Sequence, residues 1–352
     1  MTAKENGTGR TRRLGAAAGV SAVRALLPIV VCAAVLAVLP PLWFGDSPFT
    51  TSLAVQALVF ASFGIGFNLI FGCTNQLFLC IGALAAIGGY GAAILTDRTS
   101  LPLVAGLAVG TASAAIVGGV LSWIAVRRSL GVIFTGIVTL VFSLALTNLI
   151  LGRRDLTGSE SGLFPEGLPD RLADDRVGGY YLFAGVVVAF LIVFRALQLS
   201  HVGWAFRALR DDEVAAELAG VDVARYRIYA ATVGSAMVGL TGALYAYSVG
   251  FISPGTFAFE RVDVRVLVVV AFGGLGTLLG PLIGAGVLAV VDERLARGGS
   301  DLLQLREVFY GAFVIAIFLA FRHGVVGTIA ALVRRLGREP DTNKRETDRV
   351  PS

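Results

Sequence analysis

Lysine is almost missing from this chain: among 352 residues it occurs only as Lys4 and Lys344. A nucleotide-cradling G-x-x-x-x-G-K-[ST] loop needs a lysine beside its glycines, so the long middle of the chain cannot hydrolyse ATP by that device. Cysteine and histidine are scarce as well. Cys32, Cys73 and Cys80 lie in or beside apolar segments, and His201 and His323 stand far apart in sequence, which provides no metal-ligand spacing. Charged residues make up 15% of the chain and almost none falls inside its apolar runs. Those runs contain no Ser/His/Asp set, no H-E-x-x-H and no paired aspartates, which argues against an intramembrane enzyme. Without carboxylates or histidines to relay protons, a proton-coupled mechanism is also disfavoured.

What the chain has instead is apolar length. Hydrophobic residues account for 56% of it and the mean hydropathy is +0.79, far outside the range of ordinary soluble domains. A spanning helix needs about 20 mostly apolar residues. The expected fold is therefore all-α, a polytopic membrane protein of about ten transmembrane helices with little room for a soluble domain. The net charge of +5 comes mainly from arginines in tails and loops, which makes it topology information and not a nucleic-acid footprint.

Residues 1–24, with Lys4, Arg10, Arg12, Arg13 and Arg24, read as a cytoplasmic tail. The run 25–44 is longer than a signal-peptide core and lacks a clear cleavage site after it, so it is expected to remain as the first span. Further spans are expected at 51–72, 77–95, 101–126, 131–151, 179–199 and 226–252. Glycine crowds the third at Gly82, Gly88, Gly89 and Gly91, which suits close helix packing or a broken helix lining a cavity. The polar loop 152–178 then falls outside the membrane and the loop 200–226 inside it, where Arg207, Arg210, Arg225 and Arg227 agree with the cytoplasmic side. The run 264–291 would be about 42 Å long as one helix, too long for a core of about 30 Å. Parity with the basic tail 329–352, placed inside, favours two crossings there, broken at Gly273, Gly274 and Gly276, before a last one at 307–321. The membrane domain thus covers 25–328.

One charged stretch interrupts this pattern. In GWAFRALRDDEVAAELAGVD, residues 203–222, the side chains Arg207, Arg210, Glu213 and Glu217 share one helical face and Val214, Leu218 and Val221 another. Asp211 or Asp212 can cap a helix start and Gly220 can end it, giving about two turns. A helix that short is not stable alone in water. A charged cytoplasmic helix on a chain without a nucleotide site suggests a docking surface for a separate motor. An amphipathic loop helix on the lipid surface is the plainer alternative, which the mixed charge makes less attractive.

The polar side chains inside the expected spans are mostly amides and hydroxyls, among them Gln56, Asn68, Thr135, Thr139, Ser143 and Asn148. Each can bond a passing solute or simply bridge two helices.

The stretch GWAFRALRDDEVAAELAGVDVARYR resembles the cytoplasmic coupling loop of permeases from branched-chain amino-acid ABC importers, in particular the M-type subunit. NLIFGCTNQLFLCIGALAAIGGYGAAIL from Asn68, GVIFTGIVTLVFSLALTNLIL from Gly131, GALYAYSVGFISPGTF from Gly242, VVVAFGGLGTLLGPLIGAGVL from Val268 and LREVFYGAFVIAIFLAFRHGVVG from Leu305 follow that family's order over about residues 50–328. The resemblance implies the importer permease fold in a bacterial plasma membrane, with both termini cytoplasmic. It implies a second permease subunit, identical or different, two cytoplasmic ATPases that bind the ATP, and an extracytoplasmic solute-binding protein. The chain itself would need no cofactor. Arg207, Arg210, Asp211, Asp212, Glu213, Ala215, Ala216, Glu217 and Gly220 would form the ATPase-coupling surface, with Val214 where the wider motif has glutamate.

The chain departs from the family after the second span. Where relatives have something like GYAGQLSLGHAAF, this chain keeps Gln76 and Leu77 but has Asn75, Phe78 and Cys80 in place of small residues. His323 also replaces a common proline, a change to which no function attaches. Asn68, Asn75, Gln76, Phe78, Thr139 and Asn148 are the candidate pathway residues. The implied cargo is a small polar solute, with branched-chain amino acids first and other amino acids, urea-like amides or aromatic acids after them. A stand-alone carrier or channel is the alternative, and flux through the isolated chain would distinguish it.

Overall fold

The computed structural model describes residues 27–38, 48–99, 102–165, 176–296 and 311. The tails 1–24 and 329–352, the crossing expected at 307–321 apart from Gly311, and residues 166–175 of the polar loop lie outside them, and so does the full tally of about ten spans. Among the described residues the only strand-like pairing is the antiparallel bridge between Leu163 and Ile252.

The helices are α1 (Leu27–Val38), α2 (Pro48–Phe67), α3 (Ile81–Thr99), α4 (Leu103–Arg127), α5 (Val132–Gly152), the single turn α6 (Arg154–Thr157), α7 (Arg176–Leu199), α8 (His201–Asp211), α9 (Glu213–Leu218), α10 (Val223–Val249), α11 (Phe259–Gly273) and α12 (Gly280–Ala296). Among the described residues, five helical stretches are long and apolar enough to cross a membrane: Phe49–Gly72, Leu103–Arg127, Val132–Gly152, Val177–Leu199 and Val223–Val249. Burial ranks them. In their most apolar windows α2 and α10 are 67% and 61% buried, whereas α4 and α5 are each 22% buried. The first pair therefore forms the interior, and the second turns Val109, Ile116, Ile133 and Val141 outward, a surface suited to lipid or another subunit.

Backbone proximity, more than large side chains, joins α3, α4 and α10. A Cβ on Gly88 would overlap the Gly239 carbonyl, one on Gly110 the Gly88 carbonyl, and one on Gly242 the Ala85 carbonyl. Small residues drive association where lipid removes the hydrophobic incentive, so the glycines of the third span serve packing. On the other flank, α7 buries Phe183, Val187, Phe190, Leu191 and Phe194 at helical spacing and packs on α2. The Tyr180 hydroxyl donates to the Leu36 carbonyl at 3.0 Å and ties α1 to that helix.

The apolar run 264–291 is a hairpin of α11 and α12. Gly274 (φ 112°) and Gly276 (φ 72°) turn the chain through backbone conformations that side chains resist. A Cβ at Gly273 would overlap the Gly280 carbonyl, which lets the two helices start and end in contact.

Two sequence expectations need correction. The third span does not begin at residue 77, because residues 75–80 are non-helical and α3 starts at Ile81. Asp263, just outside the apolar run taken to begin at residue 264, lies inside α11 and is buried. The two corrections have one physical cause. An α-helix beginning inside the bundle exposes N–H groups that lipid cannot satisfy, and the Asp263 carboxyl accepts from Ile81 N at 2.5 Å and Gly82 N at 3.2 Å.

Candidate functional site

The charged stretch forms two helices where one was expected. Between α8 and α9 the chain breaks at Asp212 (φ −158°, ψ 113°), whose Oδ1 accepts from the N–H groups of Val214 and Ala215 at 2.9 and 3.0 Å. Asp212 is thus the cap and Asp211 is not, since a carboxyl that captures the next turn's donors stops the preceding helix. At the other end Gly220 (φ 85°) donates to the Glu217 carbonyl at 2.9 Å, and Val221 to that of Ala216 at 3.0 Å. That pair of bonds closes a helix on a left-handed glycine.

The two short helices bury little and display much. Ala205, Phe206 and Leu209 of α8 and Ala216 of α9 face inward. Trp204, Val214 and Leu218 are 69%, 66% and 85% exposed, with Ala215 beside them on the outer side. Of the two small residues, Ala216 therefore seats α9 on its own chain and Ala215 is the one presented outward. Arg207 stacks on Trp204 at 4.4 Å and donates to the Gly203 and Gln198 carbonyls at 3.1 and 3.3 Å, closing off the end of α7. The Arg210 guanidinium lies against Gly276 in the α11–α12 turn. Asp211 and Glu217 are exposed.

Arg210 and Glu213 share a sequence face but do not pair. The partner of Glu213 is Arg227 in the second turn of α10, with Nη1 to Oε1 at 2.6 Å and Nη2 to Oε2 at 2.8 Å. Arg227 Nε also donates to the Thr74 carbonyl at 3.4 Å. Sequence reasoning used Arg227 only as a mark of sidedness, because fourteen positions separate it from Glu213 and no helical periodicity links them. Its place near the start of an apolar span was the available signal.

Thr74 closes the helix that precedes the altered segment. Asn75 follows in the left-handed region (φ 56°), with its N–H bonded to the Phe71 carbonyl at 3.0 Å. Asparagine tolerates that conformation better than most residues. Residues 75–80 are non-helical and run beside α5. Thr139 Oγ1 accepts from the Leu79 N–H at 2.9 Å and donates to the Thr135 and Gly136 carbonyls at 3.0 Å. A Ser122 hydroxyl donates to Gln76 Oε1 at 2.9 Å.

The segment 75–76 and the helix α9 meet around a cavity of about 450 Å³ lined by Asn75, Gln76, Thr135, Glu213, Glu217 and Arg227, with the α4–α5 turn completing the wall. The cavity offers two carboxylates, a guanidinium, two amides and a hydroxyl, which suits hydrogen bonding to a small polar solute and supplies no nucleophile with its base. Among the described residues no cluster of histidine, cysteine and acidic side chains could hold a metal ion.

The other pathway candidates have different places. Asn68 is buried in the π-helical turn Asn68–Gly72, where its Nδ2 donates to the Thr277 carbonyl at 2.8 Å and its Oδ1 accepts from the Gly276 N–H at 2.7 Å. Each amide heavy atom bonds the backbone of the α11–α12 turn, so the side chain staples that turn to the π-helical one. Phe78 is fully buried in the core. Asn148 is on an outward face of α5 and donates to the Leu144 carbonyl of its own helix at 2.9 Å. Polarity in a span selects residues that bond something; whether that something is solute or backbone depends on neighbours distant in sequence.

The two ends of the bundle differ. At one lie the charged segment, the turn at 73–76, the α4–α5 turn and the hairpin turn at 273–277. At the other, Arg98 donates to the Asp155 carbonyl at 2.8 Å, and Leu163 pairs with Ile252.

Residues 49–318 match the family model described as branched-chain amino acid transport system / permease component. Among curated relatives, the high-affinity branched-chain amino acid transport system permease protein LivM of Escherichia coli (strain K12) is 30% identical over 297 residues, 77% of this chain and 69% of that protein. LivM of Salmonella typhimurium is 30% identical over 288 residues, 73% of this chain and 65% of its own length. The probable LivM permease of Methanocaldococcus jannaschii is 30% identical over 251 residues, 68% of each chain. The chain thus spans about two thirds of the length of these relatives. No solved structure matches it.

Proposed function

Since the chain belongs to the branched-chain amino acid transport system permease family, a family of multi-pass membrane transport components and not of enzymes, we propose that it forms half of the translocation path of an ABC importer. A second permease subunit, the same or different, completes the path. Two separate ATPases bind the ATP and dock on α8 and α9, and an extracytoplasmic binding protein delivers the solute. Residues 200–226 and both termini are then cytoplasmic, and the polar loop 152–178 is extracytoplasmic. The chain carries no cofactor. Its cargo is a small polar solute, with branched-chain amino acids favoured because the relatives' names specify them.

The observation that carries this reading is the outward face of the charged segment. Trp204, Val214 and Leu218 are large, apolar and mostly exposed on an otherwise charged element, a cost in water that burial by a partner would remove. Covering an aliphatic side chain is worth roughly 1.5–3 kcal/mol, and a few such anchors dominate most interfaces. Charges around them, Arg207, Asp211 and Glu217, would add selectivity more than strength.

The test is reconstitution of the complex in liposomes with and without Leu218→Asp. ATP-driven leucine uptake by the complex, with loss of ATPase co-purification in the variant, is expected. Uptake by the isolated chain without ATPase or ATP would refute the importer assignment in favour of a stand-alone carrier.

A further inference from the structure

We infer that Arg227 is the positioning residue that ties movement of the docking helix α9 to the non-helical segment 75–80. The inference rests on the importer reading and adds the route by which docking reaches the path. α9 is six residues long and buries only Ala216, so packing alone holds it weakly against the bundle. Its firm attachment is the two-armed bond from Glu213 to Arg227 at 2.6 and 2.8 Å. A planar guanidinium fork fixes direction as well as distance.

The same guanidinium reaches the other way. Its Nε meets the carbonyl of Thr74 at 3.4 Å, one residue before Asn75 turns the chain into the non-helical segment. The side chain of Arg227 is 14% exposed against 46% for Glu213, which places the anchored end inside the bundle and the moving end outside. Asn75, Gln76, Glu213, Glu217 and Arg227 wall one cavity, so a shift of α9 changes the mouth of that cavity and the start of the non-helical segment together. An ion pair that only pinned a surface helix would not need the third bond, and any opposite pair of charges would serve.

Two variants separate these cases. Arg227→Lys keeps the charge but gathers its donors on one nitrogen, losing the planar fork and the separate Nε donor that face the carboxylate and the Thr74 carbonyl from three different atoms. The reciprocal exchange Glu213→Arg with Arg227→Glu restores an ion pair, yet a carboxylate at position 227 has no N–H for that carbonyl. In the reconstituted complex, leucine moved per ATP hydrolysed should fall about tenfold in both, within the range of measured site-to-site couplings, while the ATPases still co-purify. Glu213→Gln, which leaves α10 untouched, should lower the ratio in the same direction and covers the case in which position 227 variants fail to insert. A normal ratio in Arg227→Lys, or one fully restored by the exchange, would overturn the inference and leave the pair a simple anchor. Absence of ATP-driven uptake in the unaltered complex would instead remove the importer reading beneath it.

Discussion

Removing the Asp263 carboxyl tests how a helix can start inside the bundle. Asp263 is buried and bonds the N–H groups of Ile81 and Gly82 at 2.5 and 3.2 Å. Asp263→Ala leaves both donors without a partner, and each buried unsatisfied group costs roughly 1–3 kcal/mol. At about 3 kcal/mol in total, the population in which the start of α3 has come free should rise about 100-fold, since each 1.4 kcal/mol is a factor of ten. Cys80 immediately precedes Ile81 and is fully buried, which makes its thiol a local reporter. With Cys32 and Cys73 replaced by serine, the rate of maleimide labelling at Cys80 should rise by about two orders of magnitude in the alanine variant. Asp263→Asn keeps one acceptor oxygen but turns an amide NH2 towards the second donor, so it should fall between. The reasoning fails if Cys80 labels at the same slow rate in all three proteins, or if the asparagine variant labels as fast as the alanine one.

Gly88→Val should lower the thermal midpoint and the yield of inserted protein, because its side chain would overlap the Gly239 backbone and overpacking costs typically 1–3 kcal/mol. Gly185→Ala, where no atom lies within 4 Å of a new Cβ, is the control that should fold normally. Asn68→Ala should also destabilise, by about 2–4 kcal/mol from the unpaired Gly276 N–H and Thr277 carbonyl, while the KM for solute in the surviving protein stays unchanged; a raised KM would return Asn68 to the path. In a background without native cysteines, Asn75→Cys should react with a hydrophilic thiol reagent applied from the side of α9, and Phe78→Cys should not. Equal reactivity at the two positions would contradict the alternation of exposed and buried residues along 75–80.

Helix class and most span positions could be read along the chain because lipid imposes a simple rule: a spanning segment must be apolar for about 20 residues and satisfy its own backbone. The hairpin at 264–291 followed from the same rule, since its length exceeds one crossing and its glycines provide the turn. The caps of α9 were legible too, because Asp212 and Gly220 act on neighbours within three residues. Where interactions join distant positions, the pattern gave no guide. Nothing near Asn68 in sequence reveals that its amide bonds Gly276 and Thr277.

The amino-acid order by itself determined the apolar spans, the glycine hinges and the charged interruption at 203–222, since each depends on local periodicity or on one residue's conformational range. Tertiary structure alone decided that α3 starts at Ile81 under a carboxyl from α11, that Glu213 pairs with Arg227 and not with Arg210, and that Asn75 and Gln76 share a cavity with α9. Such pairings depend on which donors and acceptors the packed helices bring within about 3 Å of one another. That proximity is a property of the assembled bundle and has no period along the chain.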